Sequence, residues 1–240
     1  MFPFLTFLLG LPLFGALVLA CIPSWQTRFI KTFALWVSCV NFVLSLGVWL
    51  LFDTSSAKFQ FVEQIGWLPF LNMNVYIGID GISLFFIVLT TFLVPVCLLV
   101  GWVNITKHVK EYCIAFLLLE TCMLAVFCML DLLLFYVFFE SVLLPMFLII
   151  GVWGSRARKI RAAYQFFLYT LIGSVLMLLA LLLIYFQVGT TDLQVLFVSE
   201  FSERRQLLLW LAFFASFAVK VPMVPMHIWL PEAHVEAPTA

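Results

Sequence analysis

The sequence predicts an all-α, polytopic membrane protein of about seven transmembrane helices. Hydrophobic residues make up 65% of its 240 positions and charged residues only 10%, with a mean hydropathy of +1.20. Soluble domains run nearer half apolar and a quarter charged. Surface area falls too slowly with size for a fold of this length to hide so much apolar side chain from water. The medium is lipid. The apolar residues fall into seven runs of spanning length, and all but one of the lysines and arginines lie between them.

A helix needs about 20 residues to cross roughly 30 Å of hydrocarbon. The first run is Phe4–Ile22. It lacks the basic leader of a signal peptide and continues long enough to span, so it reads as a retained helix. Thr32–Phe52 follows. The connection from Asp53 to Asp80 then contains Phe59-Gln60-Phe61 and Val75-Tyr76-Ile77, which favour extended structure, with Gly66, Pro69 and Asn72 between them. This pattern suits a small hairpin on the membrane surface. Asp80 reads as the N-cap of the third helix, Ile82–Val103.

Tyr112–Leu130 and Leu132–Trp153 are the fourth and fifth helices, and Tyr164–Val188 is the sixth. Gly189-Thr190-Thr191-Asp192 reads as a helix stop followed by a cap. Ser202 with Glu203 is the expected cap of the seventh helix, Leu207–Ile228. No long linker or soluble segment interrupts the pattern, so residues 1–240 read as a single transmembrane helical domain.

The six cysteines lie in or beside apolar runs without the close pairing of a zinc or iron–sulfur site. They read as small packing residues. A net charge of zero and the absence of a basic cluster interleaved with aromatics exclude a nucleic-acid partner. Basic residues mark the inner side of a membrane. With the N-terminus outside, the inner loops hold Arg28, Lys31, Lys107, Lys110, Arg156, Arg158, Lys159 and Arg161, and the outer loops only Lys58, Arg204 and Arg205.

Three ionisable residues fall inside the spans: Glu120, Glu140 and Lys220. A charge at the bilayer centre costs about 2.5–3.5 kcal/mol even on lenient scales, so each needs a partner, a hydrated cavity or a neutral form. Glu120 and Glu140 lie eleven residues before and nine after Asp131, where helices four and five meet. At about 1.5 Å rise per residue their depths differ by roughly 3 Å. Tyr136, one turn before Glu140, is placed to hydrogen-bond it. Glu120 also suits a plainer role, as a protonated donor that joins helices.

Lys220 precedes Val221-Pro222-Met223-Val224-Pro225. Each proline lacks an amide donor, so the carbonyls of Ala218 and Val221 lose their helical partners. Open backbone at membrane depth is tolerated inside protein or beside a hydrated cavity, and transporters place ion sites at such breaks. Ordinary packing helices also carry proline kinks, and a lysine near a helix end can snorkel. Lys220 lies too deep for easy snorkelling. Beyond the break, His227, Glu232, His234 and Glu236 invite a metal reading, but Pro231 interrupts any ligand face and the spacing is not His-Glu-x-x-His. His227 and His234 instead suit interfacial capping or proton transfer near neutral pH.

At these residues a resemblance enters. Gly78-Ile79-Asp80-Gly81-Ile82-Ser83, Phe138 through Met146, and Lys220-Val221-Pro222-Met223-Val224-Pro225 onward to Ala240 resemble the NADH dehydrogenase (complex I) subunit 4 family, most closely its plant and algal mitochondrial members. The resemblance implies an antiporter-like proton channel in the mitochondrial inner membrane, or in a bacterial plasma membrane. In that family the matching glutamate pairs with the lysine before the break, which maps here onto Glu140 and Lys220. Glu120 is outside the shared motif and, with His227 and His234, is a secondary candidate.

NADH, FMN, iron–sulfur clusters and quinone would belong to other subunits, with no cofactor in this chain. The expected partners are the other membrane-arm subunits and the lipid bilayer. The family continues past the position of Ala240 into an eighth helix and a second inverted half, which a second chain would supply. The alternatives are a subunit of a cation/proton antiporter complex or membrane-bound hydrogenase, and a structural remnant that no longer pumps.

The charge pattern makes a topological prediction. With Arg158→Cys as the sole cysteine, an impermeant thiol reagent added from the outer side leaves position 158 unlabelled. Ready labelling from that side would reverse the orientation.

Overall fold

The computed structural model describes residues 3–68, 73–155 and 157–239. Arg156, counted above among the inner charges, lies outside them. The chain divides into two compact units, one made of Met1–Gln64 and Tyr76–Met129 with Thr239–Ala240, the other of Ile65–Val75 and Leu130–Pro238.

The first unit holds α1 (Phe4–Cys21), α2 (Thr27–Leu51), α3 (Gly81–Asn104) and α4 (Val109–Cys128). α1 packs on α2 and α4, and α2 and α3 pack on each other and on α4. Leu5, Leu8, Leu19, Ile30, Ile87, Leu117 and Leu124 of these helices are fully buried. Lipid supplies no hydrophobic drive between helices, so close approach and polar contacts hold them together. At Gly15 an added Cβ would lie 2.8 Å from Val37 Cγ1, so the bare backbone lets α1 and α2 touch. Between α2 and α3, the Ser45 and Thr91 hydroxyls share a hydrogen bond of 2.7 Å. The outward faces are apolar instead, with Leu50 85% exposed. That inversion belongs to a lipid-facing surface.

β1 (Gln60–Leu68) pairs with β2 (Met73–Ile79) in a two-stranded sheet, the hairpin expected from the sequence. Gly66 lies within β1 rather than between the strands, and Pro69 and Asn72 lie outside the described residues. Asp80 caps α3, accepting from Ser83 N at 2.7 Å. The hairpin also caps α1. The residue before that helix is Pro3, which offers no side-chain acceptor. Glu63 supplies one from β1, accepting from Leu5 N at 2.9 Å, Thr6 N at 3.2 Å and the Thr6 hydroxyl. A carboxylate at a helix N-terminus satisfies otherwise unpaired amides and meets the positive end of the dipole.

The second unit is organised around α7 (Lys159–Val188), on which α5 (Leu132–Ser141), α6 (Leu143–Trp153), α9 (Glu203–Lys220) and α10 (Trp229–Glu236) pack. A short α8 (Leu193–Phe197) follows α7. α7 stops at Gly189, whose φ of 79° lies in the left-handed region that glycine enters freely. Asp192 then caps α8 through Gln194 N at 2.8 Å. The expected stop and cap are both present.

The expected spans are present with some differences. Among the described residues six helices are long and apolar enough to span, counting α5 and α6 as one. The seventh, α9, begins with Glu203-Arg204-Arg205 and ends on Lys220, and these charges set it apart. α2, α4 and α7 begin earlier than expected, because basic residues such as Arg28, Lys110 and Lys159 occupy their first turns. Long basic side chains reach interfacial water while their backbone stays helical. Ser202 makes no side-chain cap bond, and only its carbonyl engages α9. The fifth span is two helices, broken at Val142. Pro145 explains this, since it cannot donate to the Ser141 carbonyl.

The remote cap yields a prediction. Glu63→Ala removes the acceptor from the start of α1 and costs about 1–2 kcal/mol. A lowered thermal midpoint with faster proteolysis near the N-terminus would report it, and unchanged values would deny Glu63 this role.

Candidate functional site

The site is built on α5, α7 and α9. Asp131, 3% exposed, caps α5 through Leu133 N at 3.0 Å and Leu134 N at 2.9 Å, and it accepts from the Thr191 hydroxyl. Backbone bonds of 2.9 Å from Leu132 N to Thr191 O and from Leu193 N to Leu130 O lock the start of α5 to the loop after α7. With that end held, the last turn of α5 presents Phe139 and Glu140 just before the break. The Ser141 hydroxyl turns back onto the Val137 carbonyl at 2.7 Å.

α9 reaches the same place because Gly173 lets it approach α7. A Cβ on Gly173 would stand 2.9 Å from Val219 Cβ, the residue before Lys220. α9 ends at Lys220, as the prolines predict. The Ala218 carbonyl loses its helical donor as expected, and part of the freed backbone finds new partners. The Ala218 carbonyl accepts from Met223 N at 2.9 Å, five residues on, in place of the amide that Pro222 lacks. The Trp229 indole donates to the Val219 carbonyl at 2.8 Å. Trp229 is itself seated against Phe166 in a core with Leu143, Ile150, Ala162 and Ala163.

Lys220 Nζ lies 3.6 Å from Glu140 Oε1, with both side chains largely buried, at 18% and 15% exposure. The ammonium donates to the Phe139 carbonyl at 2.6 Å and sits 3.4 Å from the centre of the Phe139 ring. It is a cation at the carbonyl end of two interrupted helices, the end that carries negative potential. Glu140 has the opposite situation. Neither of its oxygens has a hydrogen bond. Ser174 stands beside it on α7 but donates to the Leu171 carbonyl at 2.8 Å. Tyr136 stands by Ser174 and leaves the carboxylate unbonded, contrary to the expected Tyr136–Glu140 bond.

The structure therefore brings Glu140 and Lys220 together and leaves the other candidates elsewhere. Glu120, fully buried in α4, accepts from Asn41 Nδ2 at 2.7 Å. His227 lies in the 3₁₀ turn Met226–Ile228 with Nδ1 buried and without a partner, and His234 is exposed on α10. Sequence reasoning passed over Phe139, Pro145, Gly173, Ser174 and Trp229. Pro145 was open to it, as a proline inside an apolar run. Asp131 was also open to it, as an acid directly before Leu132-Leu133-Leu134. Gly173 and Trp229 carry no local signal, because their roles come from neighbours far along the chain.

A lysine and a carboxylate that meet at proline breaks follow the pattern transporters use for ion sites near the midplane. Residues 129–240 match the transmembrane family described as NADH:quinone oxidoreductase/Mrp antiporter. The match takes in the segments that carry Glu140 and Lys220. The chain also resembles NADH-ubiquinone oxidoreductase chain 4. It is 68% identical to the Arabidopsis thaliana protein over 229 residues, which cover 95% of this chain and 46% of that relative. Identity with the Marchantia polymorpha protein is 66% over 233 residues, covering 97% and 47%.

Among solved structures it is similar to a chain of respiratory complex I from Thermus thermophilus with bound NADH. The TM-score is 0.85 at 31% identity, covering 97% of this chain and 47% of that one. The chain spans about half the length of the curated relatives it matches. With its apolar helices and its plant and algal homologues, it is a multi-pass protein of the mitochondrial inner membrane.

The close contact at Gly173 makes a prediction. Gly173→Ala drives a methyl into Val219 at a point where both atoms are fixed to backbone. Overpacking of this kind costs about 1–3 kcal/mol. The thermal midpoint should fall, whereas Gly10→Ala, where a Cβ would meet nothing within 4 Å, should leave it unchanged.

Proposed function

We propose that this chain is a membrane-arm subunit of respiratory NADH:quinone oxidoreductase, coupling electron transfer from NADH to quinone to proton translocation. The observation that supports it best is the meeting of Lys220 with Glu140 at two helix breaks. NADH, FMN, the iron–sulfur clusters and quinone are held by other subunits. In this reading the chain takes part in a redox enzyme without performing redox chemistry.

The pair works as a switch. While Glu140 is ionised and close, it stabilises the charged ammonium of Lys220. The carboxylate is held by no hydrogen bond of its own, so a small shift of α5 against α9 changes the pairing. Once Glu140 withdraws or is neutralised, the lysine's charge stands unpaired in a site closed to bulk water, and the proton moves on. His227 follows the break and is the next residue able to take it, with His234 beyond on α10.

The family also includes Mrp antiporters, so the chief rival reading is a subunit of a cation/proton antiporter complex. Copurification with flavin and NADH-oxidising activity separates the two.

The pair itself is tested by Glu140→Gln and Lys220→Ala, singly and together, in the assembled complex reconstituted into vesicles. Each single change should lower proton pumping by about tenfold, the scale of a 1.4 kcal/mol interaction, and the double change little further. NADH oxidation by an artificial acceptor should persist. Full pumping by an assembled Lys220→Ala complex would remove Lys220 from the path, and independent losses would dissolve the pair as a unit.

A further inference from the structure

The first unit contains a second buried carboxyl whose surroundings differ from those of Glu140. Glu120 has no exposed surface, and neither has Asn41, which faces it from α2. Asn41 Nδ2 donates to Glu120 Oε1 at 2.7 Å. Each group is left with one buried oxygen that has no partner, Glu120 Oε2 and Asn41 Oδ1. Unmatched buried polar atoms are rare in folded proteins and need a physical reason.

An ionised carboxylate cannot supply that reason. It has acceptor sites only, so it can do nothing for the Asn41 carbonyl oxygen. A protonated carboxyl has one O–H donor. With the hydrogen on Oε2, it donates to Asn41 Oδ1 while Oε1 continues to accept from Nδ2. One proton satisfies both unmatched oxygens and turns one hydrogen bond into two.

The charge environment agrees. α4 packs against α1, α2 and α3. α1 and α3 contain no charged residue. The charged residues of α2 are Arg28 and Lys31, near its start and well down the helix from Asn41. Lys31 is occupied by the Trp102 and Ile105 carbonyls, at 2.6 and 2.8 Å. On α4 itself the other charges, Lys110 and Glu111, are in the first turn, and the remaining titratable groups of these four helices are thiols and Tyr112. Among the described residues no cation pairs with Glu120 to compensate a negative charge, and an uncompensated ionised carboxylate in an apolar interior is prohibitively costly.

We propose that Glu120 is a standing proton-binding site. It is a neutral carboxylic acid paired with the Asn41 carboxamide by two hydrogen bonds, and it joins α2 to α4 without taking part in proton transfer. This separates the intramembrane glutamates by role. Glu140 faces an ammonium and leaves its oxygens unbonded, while Glu120 faces an amide that matches its acid form atom for atom.

Glu120→Gln is the informative variant. A glutamine keeps both bonds, its Nε2 donating to Asn41 Oδ1 and its Oε1 accepting from Asn41 Nδ2, so an amide pair replaces the acid–amide pair. In the full-length protein within its native complex, wild type should show a protonated-carboxyl carbonyl stretch that shifts in heavy water. Glu120→Gln should abolish that band while keeping normal assembly and thermal midpoint. Glu120→Ala, which strands the Asn41 amide, should lower the midpoint. Proton pumping should be unchanged in Glu120→Gln, within the scatter of wild-type preparations.

Absence of a carboxyl band that the glutamine variant removes would overturn the assignment. So would failure of that variant to assemble. Loss of pumping in an assembled Glu120→Gln complex would overturn the separation from the proton path. The pumping arm rests on the proposed function, but the infrared and stability arms do not. If wild type did not pump at all, only the earlier reading would fall.

Discussion

Inside hydrocarbon every backbone carbonyl that loses its helical donor must find another, and this constraint organises the second unit. Pro145 and Pro222 each remove a donor. Around these breaks stand Met223 N on the Ala218 carbonyl, the Trp229 indole on the Val219 carbonyl, and the Lys220 ammonium on the Phe139 carbonyl. Repair and the proposed function therefore share atoms. The lysine that answers a carbonyl at the end of α5 is the same group that faces Glu140. Both helices also point their carbonyl ends at this place, which offsets part of the cost of a cation there but does not replace the carboxylate's charge.

The contact between Lys220 and Glu140 is close enough for strong attraction and too long for a hydrogen bond, at 3.6 Å. A pair fixed by short bonds on all sides would be costly to part and would serve as structure. Here the ammonium is also anchored on Phe139, both carbonyl and ring, so its position is held when the opposing charge of Glu140 moves away. The carboxylate has no comparable hold. In the proposed switch, motion therefore belongs to the α5 side, whose interruption at Val142 supplies a joint one residue beyond Ser141. α9 is the better braced of the two, pressed onto α7 at Gly173 and tied through Trp229.

Much of this was legible in the residues. The apolar runs located the spans because lipid imposes one length on every crossing, and Lys220 with Pro222 marked the break because both are out of place in an ordinary spanning helix. The hairpin and the caps at Asp80 and Asp192 were also readable, since each depends on neighbours a few positions away. What escaped depends on distant partners. Glu63 caps a helix some sixty positions earlier in the chain, and nothing near Pro3 announces it. Gly173 matters only because Val219 lies against it, and Trp229 only because Val219 needs a donor. The charged first turns of α2, α4 and α7 were cut off for another reason: hydropathy registers the head group, while the backbone beneath remains helical.

Depth in the membrane does not decide what an acid does. Glu120 and Glu140 lie at comparable distances along the chain from Asp131, and in the sequence it is chiefly the family motif around Glu140 that tells them apart. Their nearest donors separate them. An ammonium partner favours the ionised form, and its own proton can be exchanged, so the pair has two charge states that the surroundings can bias. A carboxamide partner offers one donor and one acceptor, a pattern that only the neutral acid completes. Any departure from that state strands two buried oxygens and an uncompensated charge together. The first arrangement is bistable and suited to transfer. The second has a single satisfied state, and a proton held in that way acts as part of the packing between α2 and α4.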